Sequence, residues 1–375
     1  MKRVGIITLY DEINIGNKLQ NFAVQYFFEG MGYECETIRH WEMAHKEISV
    51  KSLKLSIIRL LGYPKKSAQK LRLEKKRKKR FKSFTDSYLK IGPEVRINNL
   101  PKDLCTRYDY FVTGSDQVWH NWTNSKAELD YFFLQFAKRF QRLTIAPSFG
   151  KASVEQDLVD DYSRGLSGIP VITCREKQGA EIVNKLTNQE AKVILDPTML
   201  IDEKIWVSIE KKPEVKIPGK YILVYALGNR DSEIQNYIDN LAVENDLSVI
   251  DIYNPNMPEL FMTTPDEFLY YIHHAELVIT DSFHACVFSI LFKTDFVVFD
   301  RKTKSMGNMT SRLDTLLEAF NLSNRKLINC NKDMLFNTDF SSVDSTLHKE
   351  REQTKELYRE TFELLEKIRL KQKEG

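Results

Sequence analysis

The chain has 375 residues, 42% of them apolar and 11% aromatic, with a formal net charge of +3, a composition that fits a soluble protein with two domains. No apolar run approaches the length of a membrane span, and Met1-Lys-Arg-Val-Gly-Ile-Ile-Thr8 reads as a strand rather than a signal peptide. Five scattered cysteines (Cys35, Cys105, Cys174, Cys286, Cys330) lack metal-type spacing and fit a reduced cytoplasm, calling for neither disulfides nor zinc.

The strand Val4–Leu9 is followed by the loop Tyr10–Gly16, an amphipathic helix from about Lys18 to Gly30 and a second strand, Tyr33–Ile38. This opening is βαβ, so the sheet is expected to be parallel. Asn14 and Gly16 occupy the first strand–helix loop, where glycine permits close approach of a ligand.

Residues 41–100 interrupt the alternation. An apolar helix over Ser52–Leu61 ends near Gly62-Tyr-Pro64, and a basic helix runs from Ser67 to about Tyr88. Residues 65–82 hold eleven Lys/Arg and one Glu, a local +10, which leaves 3 − 10 = −7 for the rest of the chain. One concentrated basic segment on a mildly acidic protein argues against nucleic acid and for a single local electrostatic contact.

The next strand, Tyr108–Thr113, ends in Gly114-Ser115-Asp116-Gln117-Val118-Trp119. A glycine, a hydroxyl, a carboxylate and an amide at a strand's carboxyl end form a candidate site, with Trp119 closing the core. Arg142–Ala146 and Pro170–Cys174 follow, and Arg175-Glu176 open the helix behind the second of these. An arginine at a helix N-terminus opposes the macrodipole, which marks Arg175 as a residue with a partner. Lys192–Leu195 closes the first sheet, and Lys211–Gly219 reads as the linker.

A second α/β series starts at Tyr221–Ala226. It continues through a helix near Ser232–Glu244, a strand at Leu247–Ile252 and a helix near Pro265–His274. Leu277–Ile279 is then a buried strand that stops at Thr280-Asp281-Ser282, three good N-cap residues. His284 falls in the first turn of the helix beyond them, beside a natural anion site. Asp295–Phe299 is the following strand, Asn308–Arg312 lead a helix to Phe320, and 351–375 form a long charged helix. The expected domains are 1–200, carrying the basic insertion, and 201–350, with the last helix packing back across them.

Strand ends turned toward one central cleft would gather Asn14, Asp116 and Arg175 from the first domain. From the second they would gather Asp281, Ser282, His284 and Arg312. Cations and helix N-termini call for an anionic substrate, while carboxylates and histidine supply proton transfer. With no G-x-G-x-x-G, no phosphate loop and no metal-ligand cluster, nucleotide hydrolysis and a bound dinucleotide are not expected.

Asn14-Ile-Gly16 with Leu19-Gln20, Gly114-Ser-Asp-Gln-Val-Trp119, Ser148-Phe-Gly150, Arg175-Glu176, Asp196-Pro-Thr198 and Asp281-Ser-Phe-His284 occur in one order. In that order the chain resembles the polysaccharide pyruvyltransferase family over nearly its whole length outside 41–100. The resemblance implies a GT-B-like α/β fold of two Rossmann-like domains with parallel sheets. It implies an enzyme that moves the enolpyruvyl group of phosphoenolpyruvate onto two sugar hydroxyls as a pyruvate ketal, in surface (capsule or exopolysaccharide) polysaccharide biosynthesis, with no cofactor. It also implies that Arg175 and His284 contact the donor. Members often carry arginine two positions before the histidine; here that position is Ser282, so Arg312 or Arg301 would supply the second cation. Asp116 is the candidate base for the acceptor hydroxyl, with Ser115 and Gln117 beside it, and His284 is either the acid or a cation on the leaving phosphate. A GT-B glycosyltransferase with a nucleotide-sugar donor is the alternative. Residues 53–82 are expected to rest on the anionic inner face of a membrane, where a lipid-linked oligosaccharide acceptor would be found.

Overall fold

A computed structural model describes residues 1–10, 12–41, 65–122, 125–217, 219–228, 230–252, 254, 257–301 and 310–374. The chain divides into two compact units, Met1–Tyr63 with Thr85–Ile201 and His348–Gly375, and Pro64–Phe84 with Asp202–Leu347. The expected apolar helix over 52–61 and the Gly62-Tyr-Pro64 break lie outside the described residues.

The first unit is built on strands β1 (Arg3–Ile7), β2 (Glu34–His40), β3 (Ile91–Val95), β4 (Tyr110–Asp116) and β5 (Arg142–Pro147). Their order is β3-β2-β1-β4-β5 and every neighbouring pair is parallel. Strand order therefore reverses between β1 and β4, the crevice where open α/β sheets bind ligands. The sheet is buried by apolar runs such as Val4, Ile6 and Ile7, and Trp119, fully buried, packs on Phe133 and Phe149. β3, Ile-Gly-Pro-Glu-Val, is an addition to the expected strands. Its proline is tolerated because β3 is an edge strand.

Lys192–Val193 does not extend this sheet. As β7 it pairs with β6 (Thr173–Cys174) in a separate two-stranded parallel ladder. Side chains take the place of a backbone ladder between β5 and β6. Thr173 N donates to Thr144 Oγ1 at 2.7 Å, and Ala146 N donates to Thr173 Oγ1 at 3.1 Å. With those N–H groups bonded to hydroxyls, the backbone contact here is Arg175 N donating to Pro147 O at 3.2 Å, at the ends of the two strands.

The second unit carries β8 (Tyr221–Tyr225), β9 (Ser248–Asp251), β10 (Leu277–Thr280) and β11 (Phe296–Val298), in the parallel order β11-β10-β8-β9. Its reversal lies between β8 and β10. The α/β class with two parallel sheets is as expected.

The basic helix, Lys65–Tyr88, differs from expectation, because its residues up to Phe84 group with the second unit rather than forming an insertion of the first. Arg77 is buried with its guanidinium 4.7 Å from the Phe261 ring, and Arg80 Nη2 lies 2.5 Å from the buried Glu267 carboxylate. The C-terminal helix begins at Val343, ahead of the expected start, and from His348 onward it is part of the first unit. There Tyr358 packs against Phe27 and Phe28 and donates to Thr144 O at 2.5 Å.

Candidate active site

In the first unit the site grows out of the end of β4. Gly114 has φ +112°, and a Cβ there would lie 2.3 Å from the Ile145 carbonyl oxygen, so only glycine lets β4 run this close to β5. The next two side chains then turn into a buried polar network. The Ser115 hydroxyl lies 3.0 Å from both Asp196 Oδ2 and Ala146 O. Gln20, on the helix Ile15–Gly30, accepts from Ser115 N and donates to Thr8 Oγ1 and to Asn17 O.

Asp116 is the centre of this network. Its Oδ1 accepts from Gln117 N at 2.9 Å and from Arg175 Nη2 at 3.2 Å, and its Oδ2 accepts from Asn17 Nδ2. A carboxylate has about four lone-pair directions, so one on Oδ2 remains for an incoming group. The Asp116 side chain is 12% exposed, whereas that of Arg175 is 1% exposed.

Arg175 spans two carboxylates, with Nη1 also 2.9 Å from Asp196 Oδ2. Burial pulls its pKa down, but the charges of Asp116, Asp196 and Glu176 outweigh burial and the net shift is upward. The helix behind it runs from Lys177 to Thr187 with Glu176 at its N-cap, so Arg175 precedes the helix rather than opening it. The dipole conflict read from the sequence is thus relieved by position and by carboxylates together. Asp196 caps the following turn, accepting from Thr198 N at 3.0 Å and Thr198 Oγ1 at 2.7 Å. Glu176 Oε1 accepts from Ser148 Oγ and Phe149 N, which pins the Ser148–Gly150 turn.

Most blocks shared with the family in this unit are therefore one hydrogen-bonded assembly. Asn14 caps the Ile15–Gly30 helix by accepting from Asn17 N at 3.1 Å, and is itself exposed. Gly16 is buried in that helix's first turn rather than in an open loop. The Gln117 side chain packs against Gly150, where a Cβ would sit 2.0 Å from its Nε2. That buried amide nitrogen has no hydrogen-bond partner among the described residues. Asn17 was missed as a site residue, because nothing local separates it from other polar positions on an amphipathic helix, whereas Gln20 stood in the Leu19-Gln20 block of the resemblance and could have been taken from it.

In the second unit the corresponding position is the end of β10. Asp281 Oδ1 accepts from Leu227 N at 2.7 Å and Oδ2 from Gly228 N at 2.8 Å, tying β10 to the turn after β8. Arg301 Nε donates to Asp281 Oδ2 at 2.9 Å. A Cβ on Gly228 would meet Arg301 Cγ at 2.7 Å, so this clamp also requires glycine. Of the two candidate second cations, Arg301 is thus placed on Asp281. Arg312 is buried, 6.0 Å from the Phe283 ring.

Ser282 is the N-cap of the helix Phe283–Phe292, its side chain accepting from Ala285 N, which commits a residue expected to touch substrate to its own helix. His284 is buried in the first turn as expected, its ring perpendicular to Phe283 at 5.4 Å. Two residues on, burial pushes the Cys286 thiol well up, which removes it as a nucleophile.

A search of curated protein sequences finds no match. Similar solved structures include a putative UDP-N-acetylglucosamine 2-epimerase from Listeria monocytogenes (TM-score 0.48, 11% identity, covering 94% of this chain and 90% of that one). They also include S. aureus MnaA in a co-structure with UDP (0.47, 12%, 94% and 91%) and Acinetobacter baumannii MurG (0.42, 10%, 94% and 95%). Residues 14–303 match the family model described as polysaccharide pyruvyl transferase.

Proposed function

We propose a reaction for this chain, which belongs to the polysaccharide pyruvyl transferase family: transfer of the enolpyruvyl group of phosphoenolpyruvate onto two hydroxyls of a sugar. The observation that carries the residue assignment is Asp116. It stands at the strand-order reversal of its sheet, held by Arg175 and Asn17, with an oxygen lone pair left over.

In this reading Asp116 takes the proton of the first acceptor hydroxyl as its oxygen bonds to C2 of the donor. The C2–C3 π electrons take a proton at C3 from a general acid, His284 or solvent, and C3 becomes a methyl group, while Asp116 later returns its proton to solvent. The second hydroxyl then bonds to C2 as the C2–O bond to phosphate breaks, and its proton leaves to solvent or phosphate. The products are a cyclic ketal and inorganic phosphate. Gln117 Nε2 is the donor assigned to an acceptor oxygen. His284 and the first N–H groups of its helix are assigned to the donor phosphate, where a helix N-terminus favours an anion. Arg175 orients Asp116 through the contact at 3.2 Å.

The deciding assay incubates the protein with phosphoenolpyruvate and candidate sugars and measures acceptor-dependent phosphate release. Release is expected with phosphoenolpyruvate and absent in His284→Ala. Turnover with a nucleotide sugar instead would replace this reading by glycosyl transfer.

We further propose that the basic helix docks on an anionic membrane that carries a lipid-linked acceptor. Arg72, Lys75, Lys76, Lys79 and Lys82 are exposed at helical spacing along one stripe, while Arg77, Phe81 and Phe84 are buried. Arg77 is buried and Arg80 pairs with Glu267, so the contact is assigned to the exposed stripe. Each cation near anionic lipid gains up to about 1 kcal/mol, screened by salt. No helix among the described residues is long and apolar enough to cross a membrane. Co-sedimentation with phosphatidylserine vesicles is expected to exceed that with neutral vesicles and to fall when Lys75, Lys76, Lys79 and Lys82 become Gln. Equal sedimentation on both would return the stripe to solvent.

A further inference from the structure

We infer that Glu210, His273 and His274 form a site for one divalent transition-metal ion of the zinc class. The site lies wholly in the second unit. Glu210 is the C-cap of the helix Glu203–Ile209, and His273 and His274 are the last residue and the C-cap of the helix Pro265–His273. His273 Nδ1 lies 2.8 Å from Glu210 Oε2 and His274 Nε2 lies 3.5 Å from Glu210 Oε1. One ligand atom from each residue falls within 4.8 Å of the others.

The 3.5 Å separation suits a shared ion, and the 2.8 Å one, a hydrogen bond without the ion, has to open by about half an ångström. At metal–nitrogen and metal–oxygen distances of about 2.0–2.2 Å, neighbouring ligand atoms in a tetrahedron stand roughly 3.3–3.5 Å apart. Both imidazoles are held by aromatic faces. His273 stacks on Phe292 with centroids 4.6 Å apart, and His274 lies on Tyr270 at 4.1 Å. Rings already oriented lose little freedom on binding an ion. The carbonyl end of the Pro265–His273 helix favours positive charge at this spot. His274, 44% exposed, leaves a way in and room for water as a fourth ligand. Two imidazoles and a carboxylate are a donor set for Zn²⁺, Co²⁺ or Ni²⁺ rather than Mg²⁺ or Ca²⁺. A bound ion would cross-link two helices from distant parts of the chain, since Glu210 and His273 are 63 residues apart.

The test titrates Co²⁺, then Zn²⁺, into the full chain after chelator treatment with its thiols reduced. One equivalent of Co²⁺ should give the visible bands of a nitrogen–oxygen site, and Zn²⁺ should displace it and raise the melting temperature. Both responses should vanish in His274→Ala and Glu210→Gln, while pyruvyl transfer by His274→Ala stays at the wild-type rate. His274→Gln repeats the measurement should His274→Ala misfold. Absence of binding, binding unchanged in the variants, or a thiolate-to-metal charge-transfer band would each overturn the site and leave a histidine–glutamate hydrogen-bond cluster.

Discussion

Asp116→Asn is expected to lower kcat by about 10²–10⁴-fold in a protein that still folds. The substitution keeps the shape of a side chain that accepts from Arg175 Nη2, Gln117 N and Asn17 Nδ2. The new amide can keep its oxygen toward Arg175 and Gln117 N while its NH₂ faces Asn17. Asn17 can turn its own amide over to accept, so the network closes again with one donor and one acceptor exchanged. What cannot be restored is the proton acceptor. Steady-state turnover of phosphoenolpyruvate with the acceptor, read beside circular dichroism, checks this. A variant near wild-type turnover would reduce Asp116 to a member of the structural network.

Arg175→Ala should act first on folding. Replacement leaves Asp196, whose side chain is fully buried, and Asp116 without the guanidinium that lies 2.9 and 3.2 Å from them. Removing one partner of a buried ion pair typically costs about 3–5 kcal/mol, because the remaining charge is stranded away from water. Urea denaturation should therefore show a midpoint well below wild type. Arg175→Lys should recover only part of the loss, since an ammonium cannot reproduce the guanidinium's two-pronged geometry. Combining Arg175→Ala with Asp116→Asn should cost less than the sum of the two, because the second change removes a charge that the first left uncompensated. Stability within about 0.5 kcal/mol of wild type, with phosphoenolpyruvate affinity lost, would make Arg175 a donor contact and sink the positioning role.

The two effects separate what the residues of this assembly do. Asp116 keeps a lone pair for an incoming group, whereas the Arg175 side chain is 1% exposed. Ser115 and Ser282 are spent inside the protein, on Asp196 and on a helix cap. The assembly thus divides into one carboxylate with an oxygen lone pair left over and several side chains that hold it in place.

Much of the architecture was legible in the order of residues. Apolar runs with β-branched members located β1, β4, β5, β8 and β10, and Ser232–Glu244 was read as the helix it forms. Asp281-Ser282 before an apolar run identified a helix start and put His284 in its first turn, since capping depends on neighbours in sequence. The edge strand β3 escaped because Gly92 and Pro93 carry no strand signal away from an edge.

Tertiary structure alone decided which charges meet. Arg175 finds Asp116 and Asp196 across 59 and 21 residues, and Arg80 finds Glu267 across 187, which moves the basic helix into the second unit. No local pattern encodes such partners. A buried charge is costly unless paired, so the register of the strands and the packing of the helices select its partner after the chain has folded around it. Hydrophobic periodicity and caps act over a few residues, and they determined the elements. Pairing of buried polar groups acts through space, and it determined the site.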